Sequence, residues 1–183
     1  MRPNILVFFT DQQRWDTVGC YNPSVSTTPV LDQLAREGVK FENAFTVQPV
    51  CGPARSCLQT GRYPTQNGCY RNNIALREDE VTIAKLFNQA GYDTAYIGKW
   101  HLADLDEKPV PEELRGGWQH WLAADALEHT SHPYGGHFFD NDNQPVQFDG
   151  YRVDDQTTFA LDYLKKRPQE NPFLLFISYL EPH

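Results

Sequence analysis

Residues 4–13 read NILVFFTDQQ. The apolar run Ile5–Phe9 is rich in β-branched and aromatic residues and is bounded by Asn4 and by the polar step Thr10-Asp11. Such residues suit a pleated, buried surface, and the run is far short of the roughly 18 apolar residues that span a bilayer. It reads as a strand, the first and central one of a sheet. Its carboxyl end delivers Asp11 and Gln12.

Working outward, helix and strand patterns alternate. Thr28-Pro29 places a capping residue before a proline at the first helical position, and Gly38 closes a helix whose apolar face carries Leu31, Leu34 and Ala35. Val39 to Phe45 alternates as a half-buried strand. Pro53 and Gly61 bracket a second helix, which puts Cys51 at its N-terminus. Glu80 to Ala90 forms a third helix before Gly91, Tyr92 to Ile97 a strand, Asp155 to Lys166 a helix, and Pro172 to Leu180 a final apolar strand. Helices between strands imply parallel pairing with right-handed crossovers. The expected fold is therefore α/β: a doubly wound, mostly parallel sheet flanked by helices. The stretch from about 103 to 150 lacks periodicity and reads as a loop-rich insertion. The chain stops directly after an apolar strand, so residues 1–183 are expected to be the N-terminal part of a longer catalytic domain.

The formal net charge of −8 removes a global basic footprint for nucleic acid, and no stretch is long and apolar enough for a membrane span. The N-terminus lacks a cleavable signal layout, so the expected location is cytoplasmic, or periplasmic or secreted if a leader has been removed. Four cysteines, Cys20, Cys51, Cys57 and Cys69, form no Cys-x-x-Cys pair. That argues against a zinc site and against a disulfide scaffold.

Ligands of doubly wound sheets bind at the carboxyl ends of strands. Asp11 and Gln12 there are hard oxygen donors suited to calcium or magnesium, or else turn caps. Cys51 at a helix N-terminus is an activated thiol or a packed one, and Arg55, one turn on, is an anion partner or a solvated cation. Lys99 and His101 alternate along extended chain and so face the same way, offering a cation and a proton donor, or an ordinary polar loop. His183 follows the last strand. His120, His129, His132 and His137 are too irregularly spaced for a metal set and read as solvated loop residues.

Four segments together resemble the formylglycine-dependent sulfatases of the alkaline phosphatase superfamily. They are RPNILVFFTDQQRWD at 2–16, VCGPARSCLQTGRYPTQNG at 50–68, GYDTAYIGKWHL at 91–102 and the terminal EPH at 181–183. The second carries the family's Cys-x-Pro-x-Arg signature and its trailing Thr-Gly-Arg. The resemblance implies that a separate formylglycine-generating enzyme oxidises Cys51 to an aldehyde. The hydrate of that aldehyde attacks the sulfur of a sulfate ester, and its second hydroxyl then expels sulfate from the covalent intermediate. By the same resemblance, Asp11, Gln12 and position 51 bind a divalent metal, calcium first, with magnesium and manganese as alternatives. Arg55 steadies the hydrate, and Lys99, His101 and His183 hold the sulfate and the leaving side.

Many relatives carry Asp-Asp where this sequence has Asp11-Gln12. The Gln form occurs among proteins that resemble phosphonate monoester hydrolases and choline sulfatases. The family's remaining metal ligands and a further lysine lie beyond position 183. The expected reaction is hydrolysis of a sulfated small molecule or sugar. The rivals are a phosphonate or phosphate ester hydrolase of the same superfamily and a non-catalytic binding domain. Neither nucleic acid nor a membrane is an expected partner.

Overall fold

The structure, a computed structural model, describes residues 2–183. Its centre is a six-stranded sheet in the order β1-β6-β2-β3-β4-β5. The strands are β1 (Ile5–Phe9), β2 (Asp93–Lys99), β3 (His120–Ala124), β4 (Tyr134–Phe139), β5 (Pro145–Tyr151) and β6 (Phe173–Ser178). The first four in that order are parallel, and β4 and β5 add an antiparallel hairpin at one edge. The helices are α1 (Pro29–Glu37), α2 (Cys51–Thr60), α3 (Pro64–Asn67), α4 (Ile83–Gln89), α5 (Leu127–Thr130) and α6 (Arg152–Lys166). The mostly parallel α/β architecture is the one expected.

Alternation along the inner strands divides the core into two layers. On one face Tyr96, Trp100, Trp118, Trp121, Leu174 and Phe176 form an aromatic cluster with Ala84 of α4. On the other, Ala95, Ile97, Leu122, Phe138, Leu175 and Ile177 pack with Ala160 of α6. Helices on both faces make the doubly wound arrangement. Gly98 has a φ of +119°, and a Cβ there would overlap the Ser178 carbonyl and the Gln156 amide. Gln156 uses that space, donating to Ile97 O at 3.2 Å and Ser178 O at 3.0 Å. Only glycine lets β2 and β6 approach this closely just before Lys99.

Several expectations are corrected. β1 is not central: among the described residues it pairs only with β6, and Leu6 and Phe8 remain 54% and 57% exposed. Ile5, Val7 and Phe9 pack on the aromatic cluster, so a run apolar on both faces is here covered on one. Val39 to Phe45 forms no strand, and Phe45 is 89% exposed. Alternation without a neighbouring strand to bond with does not make a ladder. α1 begins at Pro29 and ends before Gly38 as expected, yet it buries no residue. The third helix starts at Ile83, with the Thr82 side chain accepting from Lys85 N, because Glu80 is drawn into ion pairs with Arg62 and Arg77.

The 103–150 stretch is not mainly loop. It contributes three strands and a short helix. Asp140-Asn141-Asp142-Asn143 makes the β4–β5 turn, with Asp140 Oδ1 accepting from Asp142 N and Gln144 N. Such a turn between HFF and VQF signals a hairpin. His120 lies in β3 with its ring 4.6 Å from that of Tyr163, so it is not a solvated loop residue.

Candidate active site

Parallel strands point their carboxyl ends the same way, and the predicted residues meet there. The segments after β1 and β6 are laced together by Tyr179 N to Phe9 O at 2.9 Å and Asp11 N to Glu181 O at 3.2 Å. This brings His183 Nδ1 to 3.2 Å from Asp11 Oδ2. Lys99, at the end of β2 and 0% exposed, donates to the same oxygen at 3.0 Å. Arg55 NH2 lies 3.5 Å from it. Asp11, Cys51 and His183 each offer a ligand atom, and these atoms lie within 4.8 Å of one another. A cleft of about 990 Å³ opens over them, lined by Asp11, Gln12, Cys51, Asn72, His183 and the segment 44–50.

Cys51 is the first residue of α2, as expected. Val50 before it has no capping side chain, and the cap comes from a distance: Asn72 Oδ1 accepts from Gly52 N at 2.8 Å. Arg55, one turn on, is not solvated. It is 3% exposed and donates to Lys99 O and Ser178 Oγ, both at 2.7 Å. Its guanidinium also sits 5.2 Å over the Phe9 ring. A single arginine thus joins the ends of β1, β2 and β6 beneath Cys51.

Burial alone would raise the pKa of Asp11. The charges of Arg55 and Lys99 and hydrogen bonds from Lys99 and His183 outweigh it, and the carboxyl lies below its usual range. It is therefore an ionised oxygen donor at neutral pH. Gln12 beside it is exposed and has a φ of +57°, and His101 has a φ of +58°. Of these two left-handed, non-glycine residues, Gln12 lines the cleft and His101 follows Lys99 with its carbonyl near Gly52; backbone strain commonly concentrates at such sites. Burial, and then the charge of Lys99, lower the pKa of His101 and favour its neutral ring. Its Nδ1 is buried without a partner.

Three site residues carried no signal in the sequence. Asp125 holds the loop after Lys99, accepting from Ala103 N at 3.0 Å and Leu105 N at 2.8 Å, while its backbone oxygen takes His101 N at 2.8 Å. Glu128 accepts from Lys99 Nζ at 3.0 Å. Asn72 is the distant cap described above. Asp125 and Glu128 follow β3, a strand hidden in the stretch read as loop. His129, His132 and His137 do not join this cluster: His129 pairs with Asp106 at 3.6 Å. All four cysteines are free. No helix among the described residues is long and apolar enough to cross a membrane.

The sulfatase family profile matches residues 3–183. The chain belongs to the sulfatase family. An ulvan-active sulfatase of Formosa agariphila is 38% identical over 100% of this chain and 36% of its own length. An N-acetylglucosamine-6-O-sulfatase of Bacteroides thetaiotaomicron is 33% identical over 100% of this chain and 31% of its own. A solved structure, described as a complex with its substrate D-glucosamine-2-N,6-O-disulfate, superimposes with a TM-score of 0.88 at 33% identity. It covers 100% of this chain and 35% of that one. The sulfatase chain described here thus spans about a third of the length of these relatives. The expected family and its alkaline-phosphatase-like α/β fold are both met.

Proposed function

We propose that the protein carrying this sequence hydrolyses sulfate esters of saccharides, with Cys51 as the precursor of a formylglycine nucleophile. One observation carries the reading: Asp11, Cys51 and His183 come from three separate segments and bring ligand atoms within 4.8 Å of one another in one cleft at the carboxyl edge of the sheet, with the buried Lys99 donating to Asp11 from beneath. The saccharide class is supported by the relatives acting on ulvan and on 6-sulfated N-acetylglucosamine, and by the disulfated glucosamine complex.

Formylglycine, once formed, supplies a hydrated aldehyde whose hydroxyl attacks sulfur. A divalent cation, calcium first, supplies Lewis acidity toward that hydroxyl and the sulfate oxygens. Asp11 and Gln12 fit such an ion as hard oxygen donors, and an oxygen at position 51 in place of sulfur completes an all-oxygen group. These donors are fewer than the six to eight oxygens calcium takes, so further oxygens, from water, substrate or protein, would complete the shell.

The chain's own residues prepare the rest. Arg55 fixes the floor beneath position 51 by tying the Lys99 carbonyl to Ser178. Lys99 presents a buried cation to the anion, where its charge counts for more than in water. His183, within 4.8 Å of the Cys51 sulfur and at the cleft, is placed to give or take the proton of the leaving oxygen, and His101, two residues after Lys99, is the second candidate for that role.

The test uses the full-length protein, produced with a formylglycine-generating enzyme. Expected results are an aldehyde mass on the peptide spanning Cys51, sulfate release from a 6-sulfated glucosamine, loss of that release in Cys51→Ala, and loss on chelation with recovery on adding calcium. Unchanged turnover in Cys51→Ala would overturn the mechanism.

A further inference from the structure

Lys99, fully buried beneath the cleft, faces two carboxylates. Its Nζ lies 3.0 Å from Asp11 Oδ2 and 3.0 Å from Glu128 Oε1. Asp11 is explained as a donor to a metal cation. Glu128 is not. It stands on α5, directly after β3, with the neighbouring Leu127 side chain fully buried as an anchor. Among the described residues its side chain is hydrogen-bonded to Lys99 alone, and its Oε2 is buried without a hydrogen-bond partner. Glu128 pairs the buried Lys99, but its second carboxylate oxygen satisfies no donor and leaves its negative charge facing the same cation as Asp11. Burial raises its pKa, but the hydrogen bond from its own backbone N–H and the charge of Lys99 outweigh this and keep it ionised.

The ion pairs that meet at Lys99 and Asp11 join two positive groups, Arg55 and Lys99, to two negative ones, Asp11 and Glu128, while burial favours the neutral form of His101. With Asp11 engaged by a metal cation, Glu128 is the carboxylate still opposing Lys99. A sulfate monoester carries one negative charge at neutral pH. A phosphate monoester, with a second pKa of about 6, carries nearly two. A fixed negative charge beside the binding cation penalises the second anion more, because Coulomb energy scales with the product of charges.

We propose that Glu128 is a specificity residue: held against Lys99, it lowers the positive charge of the anion pocket and selects singly charged esters over doubly charged phosphate monoesters. The inference rests on the sulfate ester reading above. It makes no distinction between sulfate esters and phosphonate monoesters, both singly charged. Selection against the dianion is thus built into a residue that touches Lys99 rather than the substrate.

The experiment compares wild-type full-length enzyme with Glu128→Gln, Glu128→Ala and Glu128→Asp at pH 8. It measures kcat/KM for 4-nitrophenyl sulfate, 4-nitrophenyl phosphate and a 4-nitrophenyl phosphonate monoester, or competitive inhibition against a 6-sulfated glucosamine where turnover is absent. Glu128→Gln is nearly isosteric, and the side chain is 32% exposed, so folding tolerates the change. The expected result is a rise in the phosphate-to-sulfate ratio on the order of tenfold in Gln and Ala. The phosphonate-to-sulfate ratio should hold, and Asp should keep the wild-type ratios. An unmoved ratio in Gln and Ala, or an equal fall of all substrates in Gln and Asp alike, overturns the proposal and leaves the sulfatase reading standing. A modified wild-type enzyme inactive on every sulfate ester overturns that reading, and this inference with it.

Discussion

Replacing Arg55 with alanine separates two roles that one side chain performs. The wild-type guanidinium donates to Lys99 O and Ser178 Oγ, lies 3.5 Å from Asp11 and covers the Phe9 ring. Alanine leaves two buried acceptors and one carboxylate short of a partner and opens a cavity between three strand ends. Breaking a buried pair by removing one partner costs about 3–5 kcal/mol. In a full-length protein about three times this length that corresponds to a fall in Tm of about 3–5 °C. The assay is calorimetric or circular dichroism melting of full-length Arg55→Ala beside Cys51→Ala, which touches the same cleft without touching the strut. Cys51→Ala should melt close to wild type. Should Arg55→Ala melt within about 2 °C of wild type while losing activity, Arg55 serves only the nucleophile, and the account of the strand ends is wrong.

Three further outcomes are expected. Gly98→Ala forces β2 from β6 and should cost about 2–5 kcal/mol, combining strain at positive φ with overpacking, read as a lower urea midpoint; a midpoint equal to wild type would contradict the close approach described. His120, half-buried against Tyr163, has a pKa lowered from 6.5 by that burial, so below that pH the unfolded chain binds the extra proton and stability falls as pH drops toward the folded value. His120→Phe should remove a slope of at most about 1.4 kcal/mol per pH unit from the acid limb of a stability–pH curve. Cys69 is fully buried, and its thiol is pushed up to about 11, chiefly by burial, so it should stay unlabelled by iodoacetamide at pH 8 in the folded protein, as read by peptide mass.

The residues that were legible in the sequence are those announced by local chemistry. A proline and a glycine bracketed α2 and so placed Cys51 at its first position. Short apolar runs gave β2 and β6, and their ends gave Lys99 and His183. What stayed hidden depends on partners distant in sequence. Nothing local to NILVFF says that only one of its edges is paired, and nothing in VKFENAF says that no strand lies beside it. β3 is five residues long and has no alternating pattern, because HWLAA is covered on both faces. Missing it meant missing Asp125 and Glu128, which it carries to the site. Asn72 as a cap on Gly52 acts across 20 positions, beyond the reach of any capping pattern.

The placement of β6 between β1 and β2 also has a consequence for how the molecule comes into being. β1 is made first and finds its partner only when Phe173 emerges, 169 positions after Asn4, which at ribosomal rates is a wait of roughly 10–30 s. Until then Ile5–Phe9 is an unpaired, sticky strand, and its pairing must close one of the longest loops in the chain, a slow kind of step. The Asp11–Lys99 and Asp11–His183 contacts span 88 and 172 positions, and the first needs β6 as a spacer between its two strands. Helix α2 can form early with Cys51 already in place, whereas the charges around it are assembled only after β6 has joined the sheet.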